Sequence, residues 1–170
     1  MLFRSTVYTN IWVEREEQKG RILDKQIKLQ LVLELAWRLW HEEKDMIHYR
    51  ELALFVEKLI AAKVMELGDE QAEDIAREMQ TATFLKRDES GHFSFVHRSF
   101  MEFFLARKIY DEMGAPTSTS AALNTRRFDR KIVYFLTHLD AADAIRPPLQ
   151  QILRNAYVAN VSKNVLQVLY

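Results

Sequence analysis

The chain lacks several features that would define its chemistry at once. It contains no cysteine, which excludes disulfide bonds and thiolate metal sites. Its four glycines are isolated, at positions 20, 68, 91 and 114, so neither of the glycine-rich loops that hold nucleotide phosphates is present. Lys plus Arg number 24 and Asp plus Glu number 24, so the formal net charge is zero. A chain without net positive charge has no overall attraction to nucleic acid or anionic membranes.

Long apolar runs are also missing. No stretch approaches the ~20 apolar residues that a membrane span needs, and no signal-peptide core follows Met1. Nearly half the residues are nevertheless apolar, which is enough for a packed core. We therefore expect a cytoplasmic, folded chain that has no membrane contact, no metal site and no cofactor of its own.

Apolar residues recur at helical spacing along the first half of the chain. This spacing predicts four helices: residues 6–20, 24–41, 47–63 and 70–80. The second carries apolar residues beyond one face, which predicts burial on two sides. Asp69 is the expected N-cap of the fourth.

The spacing of apolar residues then changes from the helical period to the alternation of a strand. Residues 83–97 read as two strands around a turn at 88–91, with Phe93, Phe95 and His97 on one face. Ser99 and Glu102 then have capping-box spacing and open an apolar helix that runs to Met113.

The fold class predicted from this order is mainly α. Three helices, a β-hairpin wing and a following helix are the layout of a winged-helix domain. We assign residues 1–22 to the end of a preceding helical domain, 23–113 to the winged helix, 114–128 to a linker, and 129–170 to the start of a helical, HEAT-like region.

The last region should hold helices at about 130–139, 141–155 and 162–170, with Pro147-Pro148 interrupting the middle one. It ends on an apolar face without a polar cap, so we expect the natural chain to continue.

The segment FSFVHRSFMEFFLA resembles the end of the winged-helix domain in NACHT-type NTPases of the STAND class, which includes the NOD-like receptors. Nine positions match that pattern: Phe93, Phe95, His97, Ser99, Phe100, Glu102, Phe103, Phe104 and Ala106. Met101 and Leu105 depart from it conservatively, and the resemblance weakens beyond residue 115.

The resemblance implies a regulatory role rather than catalysis by this chain. In that family the histidine matching His97 contacts the β-phosphate of ADP and holds the resting state. The implied partner is a nucleotide-binding domain of the same parent chain, and that domain would bind ADP or ATP. The parent protein would form a homo-oligomer on activation. No catalytic residue is assigned here.

Other interpretations remain open. His97 could be a strand-end histidine bonded to backbone, and Arg98 could be either solvated or in contact with the nucleotide domain. A winged helix could bind DNA, but residues 69–80 carry five acids and only Arg77 as a base, which phosphates would repel. A plain helical protein-interaction module is the third possibility.

Overall fold

The computed structural model describes residues 25–63, 84–113, 121–139, 142–155 and 157–170. The described helices are α1 Lys25–His41, α2 Tyr49–Lys63, α3 Arg98–Met113, α4 Ala121–Thr125, α5 Arg130–His138, α6 Ala142–Asn155 and α7 Ala159–Leu169. The described strands are β1 Met46–His48, β2 Leu85–Arg87 and β3 His92–Phe95. The fold is mainly α, as the sequence predicted.

The three strands form one antiparallel sheet in the order β1-β3-β2. Strand β1 corrects the prediction of a helix starting at residue 47, because Ile47 pairs with Phe93 and the helix begins only at Tyr49. The amide of Tyr49 donates to the carbonyl of Gly91 at 3.0 Å, which ties the start of α2 to the hairpin. Three residues are too few to show the alternation of apolar and polar residues that marks a strand. The helical period of α2 was therefore extended over β1 in the prediction.

The hairpin between β2 and β3 forms where the sequence placed it. The Asp88 carboxylate accepts hydrogen bonds from the His92 amide at 2.8 Å and from the Ser90 hydroxyl at 2.9 Å. Gly91 has φ +86°, a conformation that side chains with a Cβ rarely adopt. The turn is therefore specified by an aspartate that bonds its own backbone and by one glycine.

Helix α3 lies between two hydrophobic cores and contributes to both. Its first half packs Phe103 and Phe104 against α1, α2 and the sheet. Its second half packs Leu105 and Ile109 against the helices that follow. Helix α3 thus connects the two cores, because its two ends pack against different neighbours.

The second core is made mainly by the C-terminal helices. Its buried members outside α3 are Trp40, Ala122, Leu123, Phe128, Ile132, Leu136, Ile145, Leu149, Val161, Val165 and Val168. The predicted helices at 130–139, 141–155 and 162–170 are confirmed, although α7 starts earlier, at Ala159. Pro147 and Pro148 do not interrupt α6, which runs through both of them.

Some sequence predictions lie outside the described residues. These are the helices at 6–20 and 70–80, the Asp69 cap, and the segment 1–22. Within the predicted linker 114–128, residues 121–125 form α4, whose Ala122 and Leu123 are buried. The division into domains stays a prediction.

Candidate functional site

The candidate site is the junction, residues 96–98, which joins β3 to α3. The Val96 amide donates to the Phe84 carbonyl at 2.7 Å, and the Phe100 amide donates to the His97 carbonyl at 3.0 Å. Phe93 and Phe95 on the preceding strand are buried, whereas His97 is exposed. The backbone on both sides of His97 is therefore fixed while its side chain reaches the surface.

The capping box predicted at Ser99 and Glu102 is wrong. Helix α3 begins at Arg98, so Ser99 lies inside the first turn instead of preceding it. The carboxylate of Glu102 pairs with the side chain of Arg98 instead of capping the backbone at the helix start. Its side chain is 5% exposed and lies between α3 and α5, where other charges reach it. The spacing that suggests a cap also places residue 102 on the face that α5 covers.

Arg98 is the cation nearest to that carboxylate along the chain. Its Nε lies 3.3 Å from Glu102 Oε1, one turn further along α3. One of its terminal nitrogens lies 3.4 Å from Asp129 Oδ2, at the start of α5. The interpretation of Arg98 as a merely solvated side chain is therefore incomplete, since it joins two helices.

Lys131 completes a cluster of four charges. Its Nζ lies 3.7 Å from Glu102 Oε2, an oxygen that has no hydrogen-bond donor among the described residues. Burial raises the pKa of Glu102, and the charges of Lys131 and Arg98 oppose that rise. Two cations thus offset part of the cost of a carboxylate placed between two helices.

The ring of His97 is not bonded to any of these four charged side chains. Within the described part of the chain it makes no hydrogen bond, and its nearest ring is that of Phe100, 6.1 Å away between centroids. It sits directly before the first turn of α3, where backbone N–H groups and the helix dipole favour an anion. An exposed imidazole at this position can donate a hydrogen bond to a phosphate oxygen.

Asp129 and Lys131 could not be found from the sequence. They lie about thirty positions from Arg98, and no spacing rule links residues at that separation. The available signal was an aspartate immediately before an apolar helix, which predicts an N-cap. Asp129 does occupy the N-cap position of α5, yet its side chain makes no cap hydrogen bond there.

Histidines elsewhere do not extend the site. His92 lies on the hairpin, with its ring 5.2 Å from that of His48 on the neighbouring strand and its Nδ1 2.9 Å from Ser90 Oγ. Among the residues that the structure describes, no group of three or more acidic or imidazole side chains is placed to hold a metal ion. None of the described helices is long and apolar enough to span a bilayer.

Comparison with known proteins gives limited similarity. No protein-family model matches the chain, and no solved structure matches it. The chain is 31% identical over 88 residues to an uncharacterized WD repeat-containing protein of Nostoc sp. strain PCC 7120. That match covers 52% of this chain but 6% of the relative, which is therefore much longer.

Proposed function

We propose that this chain is the regulatory winged-helix region of a STAND-class, NACHT-type signalling NTPase. It stabilises the ADP-bound resting state by docking on the nucleotide-binding domain. When a sensor region binds its ligand, this chain moves and so permits nucleotide exchange and oligomerisation. The observation that carries the proposal is the exposed His97 at a fixed junction before α3, within the segment that resembles that family.

The order of elements supports the winged-helix assignment. Among the described residues, a helix, a short strand and a second helix come before positions 64–83, and a hairpin and a further helix come after them. The strand after the first helix pairs with the far strand of the hairpin, giving the order β1-β3-β2. A hairpin that is held by a third strand is a firm platform for the junction that follows it.

The geometry of His97 suits a contact that can be made and broken. Removing an exposed ring leaves no core cavity, so the residue is free to serve an external ligand. One hydrogen bond to a charged phosphate contributes roughly 1–3 kcal/mol, which is about one or two orders of magnitude in an equilibrium. That size is appropriate for a resting state that a signal must be able to reverse.

The proposal also assigns a role to the C-terminal helices. They share a core with α3, since Ile109 packs in the same cluster as Ile132 and Leu136 of α5. A displacement of these helices would therefore shift α3, the helix that follows His97. The long relative carries WD repeats by its name, and such repeats form β-propellers.

The chain has no phosphate loop, so the nucleotide must be held mainly by another domain. The natural coding sequence should include a G-x-x-x-x-G-K-[ST] motif upstream of this region. The natural protein, purified without added nucleotide, should release about one ADP per molecule when it is denatured. A coding sequence without the motif, or a resting protein free of ADP, would remove the proposal.

A winged-helix nucleic-acid regulator is the second candidate, and one observation favours it. Lys86 and Arg87 are exposed on the wing. Arg87, however, lies over the rings of Tyr49 and Phe93, at 5.5 and 5.7 Å, so it also has a packing role. A gel-shift titration with duplex DNA at physiological salt separates the candidates, because sub-micromolar, sequence-dependent binding would favour the nucleic-acid regulator.

A further inference from the structure

The guanidinium of Arg98 connects the junction to the C-terminal helices. Arg98 is the residue after His97 and the first residue of α3. It is paired at once with Glu102 on its own helix and with Asp129 at the start of α5. The same side chain thus fixes the first turn of α3 and the entry of the chain into α5.

Asp129 is available for this contact because it does not cap its own helix. Its backbone carbonyl accepts from the Val133 amide at 3.2 Å, while its carboxylate reaches Arg98 at 3.4 Å. An aspartate at an N-cap position ordinarily bonds the amides of the first turn. The use of its carboxylate between helices, instead of within one, indicates a coupling role.

We infer that the Arg98–Asp129 pair is a latch through which α5 positions His97, with Glu102 as the residue that holds Arg98 in place. This inference rests on the proposed function and adds the route by which the C-terminal helices control the nucleotide contact. Arg98 and Asp129 are positioning residues in this account, since neither is required to touch the phosphate.

The latch works through the first turn of α3. While Arg98 is paired across to Asp129, the turn that begins beside His97 is held against α5. When α5 moves, Arg98 loses Asp129, and Glu102 loses Lys131 as well. Glu102 then gains water, which repays part of its burial cost, so the released state has its own stabilisation. Such an arrangement has two discrete states, and a movement of α5 biases the balance between them.

Three variants of the natural protein test the latch. Asp129→Asn keeps a residue suited to the N-cap but removes the charge that pairs with Arg98. Arg98→Gln removes both of the arginine's ion pairs. Asp111→Asn is the matched control, because it breaks the Arg107–Asp111 pair of 3.0 Å on the same helix at similar exposure, away from the junction.

The measurements are the dissociation rate of fluorescent ADP and the melting temperature of each variant, with His97→Ala as a reference. The latch predicts that Asp129→Asn speeds ADP dissociation about two- to fivefold, the effect of one exposed pair. Arg98→Gln should speed it on the order of tenfold, because Glu102 is also left with one cation. The control should match the unaltered protein in ADP dissociation.

The outcomes separate the latch from the proposed function. If His97→Ala speeds ADP dissociation but Asp129→Asn and Arg98→Gln do not, the latch is wrong and the proposed function stands. If none of the three speeds dissociation, both fail together. If Asp111→Asn speeds it as much as Asp129→Asn, the effect is general loosening of α3 and the latch is again wrong. Arg98→Lys, which keeps the charge, should restore most of the slow dissociation.

Discussion

The buried side chain of Asn164 on α7 accepts a hydrogen bond from the Phe128 amide at 2.9 Å. Its amide group also donates to the carbonyls of Leu123 and Arg126, at 2.9 and 2.8 Å. One side chain thus satisfies three backbone groups, one within α4 and two in the segment between α4 and α5. This segment leads directly to Asp129, so Asn164 fixes the approach to the latch.

Replacing that side chain should be costly. Asn164→Ala leaves one amide and two carbonyls without their partner, and we expect it to lower the free energy of unfolding by about 2–4 kcal/mol. Asn160→Ala is the control on the same helix, since exposed Asn160 donates one bond, to the Asn124 carbonyl at 3.2 Å. It should cost less than about 1 kcal/mol. Urea unfolding of both variants checks the difference, and equal losses would contradict the account.

The hairpin glycine gives a second prediction. A Cβ on Gly91 would lie 3.0 Å from Tyr49 Cδ1, and its φ of +86° is strained for any side chain. We expect Gly91→Ala to lower the free energy of unfolding by about 1–3 kcal/mol. Glu89→Ala, at an exposed position of the same turn, should change it by less than about 0.5 kcal/mol. A neutral Gly91→Ala in thermal unfolding would show that the turn tolerates a side chain.

Phe95 and His97 are two residues apart but should differ sharply in stability. Phe95 is buried in the first core, with its ring 6.1 Å from that of Phe104. Phe95→Ala should cost roughly 3–5 kcal/mol through the cavity that it leaves. His97→Ala keeps the backbone carbonyl that Phe100 uses, so it should cost no more than about 0.5 kcal/mol. If the two variants unfold at the same denaturant concentration, His97 has a structural role that its exposure does not indicate.

The buried carboxylate of Glu102 should make stability depend on pH in a defined direction. Burial raises its pKa in the folded state, so between the ordinary value of about 4.3 and the raised value the folded chain binds more protons than the unfolded chain. The contribution of Glu102 to stability therefore falls as pH rises through that window. It then levels off above the raised pKa.

Glu102→Gln removes this titration while keeping the shape of the side chain. The free energy of unfolding of the variant, minus that of the unaltered chain, should become more positive as pH rises from about 4.3. Chemical denaturation at a series of pH values measures this difference. A difference that stays constant would mean that Arg98 and Lys131 stabilise the ionised form as much as burial disfavours it, and one that becomes more negative with rising pH would mean that they stabilise it more.

The sequence predicts well those elements that repeat a period over several turns. The helices that became α1, α3 and α5 were placed to within a residue or two, because their apolar spacing is long and regular. The hairpin was found from Asp88 and Gly91, whose local chemistry specifies a turn. Strand β1 was missed because three residues beside a strong helix carry no period of their own.

The site was predictable only in part, for a physical reason. His97 stands within a local pattern, so its position at a strand end before a helix could be read along the chain. Glu102 was misread as a cap, because it pairs instead with Arg98 and Lys131, and Lys131 becomes its neighbour only when α5 folds onto α3. Contacts between distant segments follow from packing, and one sequence gives no spacing rule for them.

The central claim is that His97 holds ADP in the resting protein, and its direct measurement is the ADP dissociation rate of the natural protein with and without His97→Ala. His41→Ala is the matched control, because His41 is an exposed histidine at the end of α1 whose ring packs on Trp37 at 5.2 Å. We predict that His97→Ala speeds dissociation about ten- to a hundredfold, equivalent to roughly 1–3 kcal/mol, without lowering the melting temperature appreciably. His41→Ala should release ADP at the unaltered rate. Equal dissociation rates for His97→Ala and the unaltered protein would contradict the account.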